Sequence, residues 1–304
     1  MMKSDFRLVS IEGHELKITR PEKFLFPDQR ISKWDYILAC IRLAPFLLPY
    51  CQHRFLTTIR YPDGIDKDSF YQKNAPPYRP EWVETRSDGE VDYILLNNVS
   101  TLIWLANLAC MEFHVSFNLS THPQTPTELV FDLDPSSPEF ERVVEVAFYT
   151  REALQQIGLD GVIKTSGASG LQIYVPIEPI YTYEETRKVS YFIAQYLVER
   201  YPKLITIERR VERRGKKVYF DYLQHWYKKT LIAPYSPRAV KEATVSTPLS
   251  WEELHHLSSP KSFNLLTIQD RLDKLGDLFL PLRQGTRYNL DPILTFVQKH
   301  LSGQ

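Results

Sequence analysis

Hydrophobic and polar residues alternate along several short segments of the chain, a pattern typical of half-buried β-strands. The first such stretch, residues 6–20, predicts a hairpin that turns at Glu12 and Gly13. Alternation or short apolar runs predict further strands at 55–61, 93–97, 111–117, 128–134, 162–165, 173–177 and 218–224. Apolar residues at helical spacing predict helices at about 32–49, 100–110, 138–157, 183–200, 263–276 and 290–301.

Two of these helices carry signals that predict where they begin. Thr182 is followed three residues later by Glu185, a capping-box pattern that places the start of helix 183–200 just after Thr182. Ser100 is the N-cap candidate for helix 100–110. This helix is apolar nearly all round, so we expect it to be buried.

Composition narrows the class of protein that this pattern describes. Lys plus Arg and Asp plus Glu both number 37, so any nucleic-acid binding depends on local patches rather than on a global basic field. The 3 cysteines fit no metal-binding spacing and indicate a reducing compartment. Residues 36–50 are apolar but too short to span a bilayer, and the N-terminus lacks the apolar core of a signal peptide. We therefore expect a cytoplasmic protein without membrane association.

The strand 128–134 carries two acids near its end. Asp132 and Asp134 share one face of the strand, and Pro135 cannot extend a β-ladder, so the strand stops just after the second carboxylate. Like charges on one face of a strand end repel unless something neutralises them, and a divalent cation with oxygen ligands would do so. The alternative is a strand that runs out into a polar turn.

A third acid strengthens the metal hypothesis. Asp221 is embedded in the apolar strand 218–224, and three carboxylates are what a two-metal site for phosphoryl transfer requires. His114 lies on the predicted strand that precedes the one with the aspartates, and consecutive strands often pair. Arg214 belongs to the basic run 208–217 and is close enough in sequence to Asp221 to contact a triphosphate. A lone strand histidine is usually structural, and a basic run is usually a solvated turn.

Other segments suggest contacts with phosphates and bases. The Ser/Gly loop 166–172 offers backbone N–H groups to an oxyanion, although most such loops are simply turns. Phe70 and Tyr71 are adjacent, so one of them could stack on a base while Lys73 contacts a phosphate; packing is the alternative. The remaining candidates are cations near helix 32–49 and polar groups in a Pro-fixed loop, both of which could be ordinary surface residues: Lys23, Lys33, Ser236 and Arg238.

Together these segments resemble the polymerase domain of bacterial DNA ligase D, a member of the archaeo-eukaryotic primase superfamily that extends DNA ends in non-homologous end joining. The resemblance covers nearly the whole chain. Its most specific segments, in chain order, are Trp104–His114, Phe131–Pro135, Lys164–Gln172, Asp221–Gln224 and Ala233–Arg238.

The resemblance implies roles for individual residues. Asp132, Asp134 and Asp221 would be the catalytic carboxylates and would bind two Mn²⁺ or Mg²⁺ ions, with His114 beside them at the nucleotide. The other nucleotide-binding residues, which hold the NTP or dNTP and the primer–template junction, would be Ser166, Gln172, Arg214, Ser236 and Arg238. The DNA-binding residues, which grip a downstream 5′-phosphate and stack a template base, would be Lys23, Lys33, Phe70, Tyr71 and Lys73. The reaction would be attack of a primer 3′-hydroxyl on the α-phosphorus, with ribonucleotides preferred.

One segment departs from the family pattern. The Ser/Gly loop of the family usually ends in lysine, glycine, leucine and histidine, whereas here it reads Ser169–Gln172. Gln172 can donate an amide hydrogen bond but carries no charge, and a lost charge-assisted bond costs about 1–3 kcal/mol. The resemblance therefore implies an active polymerase with weakened nucleotide binding. The alternatives are a non-catalytic DNA-end-binding module of the same fold and a glycosidase with paired carboxylates; the glycosidase does not explain the Ser/Gly loop.

We expect an α+β fold in which mainly antiparallel sheets form a cleft, with the acids on its floor and helices packed outside. Residues 1–304 would form a single primase-polymerase domain, with DNA-end-binding elements in about 1–120, the catalytic core in about 105–255 and packing helices in about 256–304. The implied partners are DNA with ends or gaps, a Ku-like end-binding protein and a ligase, fused or separate. The implied location is the cytoplasm, in association with the nucleoid.

Overall fold

The computed structural model describes residues 5–301 of the chain, with side chains through residue 299. Its strands, numbered in chain order, are β1 (Phe6–Ile11), β2 (His14–Thr19), β3 (Phe24–Phe26), β4 (Ile31–Ser32), β5 (Leu56–Arg60), β6 (Phe70–Gln72), β7 (Thr85–Asp88), β8 (Val91–Ile94), β9 (Cys110–Ser116), β10 (Glu128–Asp134), β11 (Val162–Thr165), β12 (Leu171–Pro176), β13 (Ile205–Thr206), β14 (Val218–Asp221), β15 (Thr230–Ile232) and β16 (Pro248–Leu249).

The helices are α1 (Lys33–Cys51), α2 (Val99–Asn107), α3 (Phe140–Gln156), α4 (Tyr183–Arg200), α5 (Ile268–Leu275), α6 (Pro281–Gln284) and α7 (Asp291–Leu301). Each helix except α6 overlaps a helix that the sequence predicted. Among the described residues, no helix combines the length and the apolar character that crossing a membrane requires. The α+β class with mainly antiparallel sheets is confirmed.

The chain forms two compact units. The first comprises the described residues up to 116 together with 230–246 and 263–276; the second comprises 117–229, 247–262 and the described residues from 277 onward. The chain thus leaves the first unit after β9, and it returns to this unit for β15 and again for α5.

The first unit is built around a four-stranded sheet in the order β15-β9-β5-β6, whose neighbouring strands all pair antiparallel. Helix α1 packs against α2, and α2 packs against β2 and β9. The Tyr36 hydroxyl donates a 2.6 Å hydrogen bond to the Cys110 carbonyl, which ties the buried face of α1 to the start of β9. Hairpins β1–β2, β3–β4 and β7–β8 complete the unit.

The second unit contains a six-stranded sheet in the order β13-β14-β10-β12-β11-β16. The short pair β13–β14 is parallel, and the other pairs are antiparallel. Helices α3 and α4 pack against each other and against this sheet. The inner strands β10 and β12 are buried along nearly their whole length, because both faces of the sheet are covered there.

The start of α2 differs from the prediction. The N-cap of α2 is Asn98, whose side chain accepts from the Thr101 N–H, so the Ser100 prediction was wrong. Ser100 instead lies in the first turn, where its N–H and hydroxyl both donate to the Glu12 carboxylate, at 2.8 and 2.7 Å. A residue 88 positions away thus satisfies a first-turn amide, which local sequence does not reveal.

The C-terminal third also contains irregular structure that periodicity did not predict. The strand expected at 218–224 ends at Asp221, because the Asp221 carboxylate accepts from the Leu223 N–H and turns the chain. The helix expected at 263–276 is confined to α5, and the short helix α6 was not predicted. The capping box of Thr182 and Glu185 at the start of α4 is confirmed.

Candidate active site

The central feature of the second unit is a row of acids on β10 and β14. The antiparallel register of these strands places Asp132 directly opposite Asp221, and Asp134 opposite Tyr219. Residues that are directly opposite in an antiparallel pair project from the same face, and so do residues two apart on one strand. The three carboxylates that the sequence singled out therefore share one face at the end of β10.

The environment of Asp132 opposes ionisation. Its side chain is only 8% exposed, and burial together with the neighbouring Asp134 carboxylate raises its pKa well above the ordinary value. The Asp221 carboxylate acts in the same direction, while Gln172 and Lys164 partly compensate. The cluster thus has less positive charge around it than three ionised acids require.

A buried chain of polar side chains supports Asp132 from the neighbouring strands. Gln172 on β12 lies between Asp132 on β10 and Lys164 on β11 in the sheet register. The Gln172 amide N–H donates to Asp132 Oδ1 at 3.0 Å, and its oxygen accepts from the Lys164 ammonium. Because an ammonium group can only donate, Lys164 fixes which end of the amide faces Asp132. Each end of the Gln172 amide therefore has a protein partner.

The Ser/Gly loop packs tightly against the end of β10. The Ser166 hydroxyl accepts from the N–H groups of Ala168 and Gly170, at 3.2 and 3.0 Å, so these two loop amides are already bonded within the loop. At Gly170, an added Cβ would lie only 2.3 Å from the Leu133 carbonyl oxygen. Only glycine permits this approach, and the loop is thereby seated beside the strand end that carries Asp134.

The basic run 208–217 is connected to the acids through Tyr219. The Arg214 guanidinium lies 3.6 Å from the centre of the Tyr219 ring and donates to the carbonyls of Glu208 and Arg209, at 2.8 and 2.9 Å. The Tyr219 hydroxyl donates to Asp221 Oδ1 at 3.1 Å. Burial and the Asp221 carboxylate both raise the pKa of Tyr219, so this hydroxyl keeps its proton and remains a donor.

A second polar cluster lies in the first unit and is centred on Glu112. Glu112 Oε2 is 2.9 Å from His114 Nε2, and Oε1 is 3.4 Å from Arg238 Nε. Glu112 is 4% exposed, and burial alone would raise its pKa. The contacts with His114 and Arg238 outweigh burial, so the pKa of Glu112 is lowered and the carboxylate is ionised.

Ser236 was expected to be exposed, and this expectation was wrong. The residue is fully buried; its hydroxyl accepts from the Phe113 N–H at 3.0 Å and donates to the Pro237 carbonyl. Ser236 thus fastens the segment after β15 to β9. The sequence analysis took the Pro-fixed loop of Ser236 and Arg238 to lie on the protein surface. Strand β15 instead brings this loop against the buried strand β9.

The expected DNA-binding residues all belong to the first unit. Lys23 donates to the Pro62 carbonyl at 2.7 Å and pairs with Asp63. Lys33 is buried and donates to the Asn107 carbonyl at 2.9 Å. Burial, together with the charges of Arg20, Lys23 and Arg60, lowers the pKa of Lys33 to about 8.

Beside these lysines, β6 presents exposed aromatic rings. Phe70 and Tyr71 are 45% and 73% exposed, so neither is buried as the packing alternative required. The Arg60 guanidinium lies 5.1 Å from the centre of the Phe70 ring. Lys73 is also exposed, just beyond β6. These side chains are accessible to a ligand with planar bases and phosphates.

The donor set of the acid row matches a hard divalent cation, because all three ligands are carboxylate oxygens. In the described part of the chain, however, no three His, Cys, Asp or Glu side chains converge closely enough to hold one ion in this arrangement. Asp221 Oδ1 accepts from the Tyr219 hydroxyl and from the Leu223 N–H. The unfavourable ionisation of Asp132 nevertheless fits a site whose missing charge a cation would supply.

Sequence reasoning assigned no role to three residues that organise these clusters. Lys164 lies within an apolar strand and is fully buried. A buried lysine indicates a paired, functionally important group, but its burial cannot be read from the sequence. Glu112 is two residues before His114 on the same face of β9, a spacing that the sequence displayed. Tyr219 was hidden among the aromatic residues of β14.

Comparisons with known proteins agree with this architecture. The sequence profile of the family "LigD, primase-polymerase domain" matches residues 32–279. The bifunctional non-homologous end joining protein LigD of Bacillus subtilis (strain 168) is 39% identical over 264 residues, which cover 86% of this chain and 43% of that protein. The multifunctional LigD of Mycolicibacterium smegmatis is 31% identical over 276 residues, which cover 88% of this chain and 36% of that protein. The chain thus spans less than half the length of these relatives.

A solved structure extends the comparison to the fold. The polymerase domain of Mycobacterium tuberculosis ligase D, in complex with DNA, superposes with a TM-score of 0.81 at 29% sequence identity. The match covers 88% of this chain and 97% of that domain. From the profile match, the relatives and the shared fold, we conclude that this chain belongs to the LigD primase-polymerase domain family.

Proposed function

We propose that this protein is a template-directed nucleotidyltransferase that extends primer 3′-ends at gaps and breaks during non-homologous end joining. Its proposed substrates are a primer–template duplex and nucleoside triphosphates, with ribonucleotides preferred. Its proposed cofactors are two Mn²⁺ or Mg²⁺ ions. Membership of the LigD primase-polymerase family supports the class of reaction.

One observation carries the assignment of the catalytic residues. Asp132 and Asp221 are opposite each other on neighbouring strands, and Asp134 shares their face. Burial, together with the Asp134 and Asp221 carboxylates, raises the pKa of Asp132. Asp132, Asp134 and Asp221 would hold the divalent ions. When bound, such ions activate the attacking hydroxyl and stabilise the leaving phosphate oxygen.

Further protein groups support the nucleotide in this proposal. Arg214 is oriented by two backbone carbonyls and the Tyr219 ring, and its guanidinium can exchange these carbonyls for triphosphate oxygens. Ser166 organises the Ser/Gly loop next to the acids. In the first unit, His114 and Arg238 contribute further basic groups, while Ser236 contributes only through its buried hydrogen bonds.

The proposed DNA-end-binding region lies in the first unit, and it combines the buried Lys33 and the paired Lys23 with exposed side chains of β6 and of Lys73. Lys33 and Lys23 supply clustered positive charge for a 5′-phosphate, and Phe70, Tyr71 and Lys73 supply rings and a cation for template DNA. The proposed partners are a Ku-like end-binding protein and a ligase, fused or separate. The proposed location is the bacterial cytoplasm, at the nucleoid.

Primer extension on a short gapped duplex with a 5′-phosphate tests the proposal. Wild type should extend the primer with Mn²⁺, and ribonucleotides should be incorporated faster than deoxynucleotides. The double substitution Asp132→Ala and Asp134→Ala should abolish extension, while Glu199→Ala, an exposed acid on α4, should not. Extension by the double variant would refute the assignment of the metal-binding carboxylates.

A second candidate function is a DNA-end-binding module without catalysis. It is favoured by the engagement of Gln172, Ser166 and Arg214 with protein partners, and by the absence, in the part of the chain that the structure describes, of three converging metal ligands. Binding of the gapped duplex with no extension by wild type under any metal would establish this function instead.

A further inference from the structure

Glu112 connects two basic residues that come from distant parts of the sequence. It lies on β9 two residues before His114, and Arg238 follows β15. Strand β15 pairs antiparallel with β9, with Ile232 opposite His114. The Ala233 N–H donates to the Phe113 carbonyl at 2.8 Å, which continues the pairing toward Arg238.

Each oxygen of the Glu112 carboxylate has a defined task. Oε2 contacts His114 Nε2 at 2.9 Å. Oε1 accepts from the backbone N–H of Ala239 at 3.1 Å and forms an ion pair with Arg238 Nε at 3.4 Å. One buried side chain thus holds a histidine ring, an arginine side chain and the backbone next to that arginine.

These contacts determine which atoms face outward. An ionised carboxylate can only accept hydrogen bonds, so the His114 ring carries a proton on Nε2. The ion pair with Glu112 is made at the Nε of Arg238, and the terminal Nη groups of an arginine have a geometry that suits bidentate contacts with phosphate. The Arg238 side chain keeps 25% of its surface exposed.

We infer that Glu112 is a positioning residue for nucleotide binding, which acts by orienting His114 and Arg238 toward the triphosphate of the incoming nucleotide. This inference rests on the proposed function, because it takes these two basic residues to be nucleotide ligands. In this inference Glu112 itself does not contact the nucleotide, because both of its carboxylate oxygens are bonded to protein groups. Its substitution should therefore matter only as long as the residues that it positions are present.

The test is a mutant cycle read out by nucleotide binding. The dissociation constant of a fluorescent nucleoside triphosphate with Mg²⁺, in the absence of DNA, is measured for wild type, Glu112→Gln, the double variant His114→Ala/Arg238→Ala, and the triple variant. We expect Glu112→Gln to weaken binding about tenfold. In the background of the double variant, the same substitution should change binding less than about threefold, because nothing remains to be positioned.

Controls separate positioning from stability. Glu81→Gln, at an exposed site of the same unit, should leave binding unchanged. Thermal unfolding of each variant identifies loss of fold, and Glu112→Asp provides a second variant that keeps the charge but shortens the side chain. Steady-state primer extension should show Glu112→Gln raising the nucleotide KM more than it lowers kcat.

Three results would overturn the inference in distinguishable ways. If Glu112→Gln binds nucleotide like wild type while the double variant binds weakly, Glu112 does not position these residues and the proposed function stands. If Glu112→Gln weakens binding equally in both backgrounds, its role is generally structural. If the double variant binds like wild type, His114 and Arg238 are not nucleotide ligands, and the inference fails together with that part of the proposed function.

Discussion

Two buried carboxylates, one in each compact unit, have opposite electrostatic settings. Glu112 and Asp132 are exposed to a similar degree, 4% and 8%, yet the pKa of Glu112 is lowered and that of Asp132 is raised. Burial acts in the same direction on both. The difference comes from their neighbours: Glu112 contacts His114 and Arg238, whereas Asp132 lies beside two further acids.

This difference separates organising groups from groups that need a ligand. The Glu112 cluster contains its own counter-charges, so it can orient side chains before any ligand arrives. The Asp132 cluster is incomplete without external positive charge, which is the electrostatic character of a cation-binding site. A shifted pKa alone does not distinguish an organising carboxylate from one that needs a cation. The sign of the neighbouring charges does.

The largest effect should come from removing an acid that faces Asp132. Asp221→Asn should reduce primer extension about 10³-fold or more, because one ligand of the divalent ions is lost and several kcal/mol of transition-state stabilisation with it. The measurement is single-nucleotide incorporation with Mn²⁺ beside Glu199→Ala. Activity within tenfold of wild type would mean that Asp221 is a structural residue bonded to Tyr219.

Neutralising each carboxylate should change stability in opposite directions. In a metal-free buffer at pH 7, Asp132→Asn should stabilise the fold by about 1–3 kcal/mol, because it removes the cost of burying this acid and its repulsion from the neighbouring acids. Glu112→Gln should destabilise the fold by a similar amount, because it breaks the pairs with His114 and Arg238. Urea unfolding of the two variants and wild type measures both changes. If both substitutions changed the free energy of unfolding in the same direction, the two carboxylates would not have opposite electrostatic settings.

The pH dependence should also have opposite signs. A raised pKa means that the folded protein holds the Asp132 proton more tightly than the unfolded chain, so stability falls as pH rises from 3.8 through the raised pKa. The lowered pKa of Glu112 contributes stability that is fully present above 4.5 and is lost as pH falls through the lowered pKa. Unfolding free energies of the two variants, measured from pH 3 to 8 against wild type, should show these opposite slopes.

A smaller effect should link Lys164 to the acids. Lys164→Met removes the nearest buried cation, and its effect on stability should be coupled to Asp132 by about 1 kcal/mol in a double-mutant cycle with Asp132→Asn. Exposed Lys188 of α4 provides the matched control, Lys188→Met, which should show no coupling. A zero coupling for Lys164 would mean that the hydrogen bond to Gln172 transmits no charge effect to Asp132.

The smallest expected effect concerns a buried cation, Lys33, and the pH dependence of DNA binding. Burial, together with neighbouring positive charges, lowers the pKa of Lys33 to about 8, so its positive charge is lost as pH rises through this value. Binding of a gapped duplex with a 5′-phosphate should therefore weaken a few-fold between pH 7 and 9, relative to the same duplex with a 5′-hydroxyl. Fluorescence anisotropy measures both; equal pH dependence for the two duplexes would exclude Lys33 from phosphate recognition.

The sequence predicted those features of the fold and site that depend on neighbouring residues. The capping box at Thr182 and the shared face of Asp132 and Asp134 are local, and the structure contains both. The placement of Asp221 opposite Asp132 was expected only as a general convergence of acids. It depends on the strand order β14-β10-β12, which periodicity does not determine.

Features that depend on contacts between residues far apart in the chain could not be predicted from the sequence. Glu112 and Ala239 are 127 positions apart, and nothing near either residue indicates their contact. The burial of Ser236 follows from the same pairing of β15 with β9. Gln172 was interpreted through its difference in charge from histidine, whereas its position in the sheet also determines its partners, Lys164 and Asp132.

The close approach at Gly170 has a mechanical consequence. Because even a methyl group has no room between this residue and the Leu133 carbonyl, the Ser/Gly loop has no path inward, toward β10. Any movement of the loop when a ligand arrives is therefore directed outward or carries the end of β10, and Asp134, along with it. Inward displacement of the loop would therefore move that carboxylate, whereas outward displacement would leave it in place.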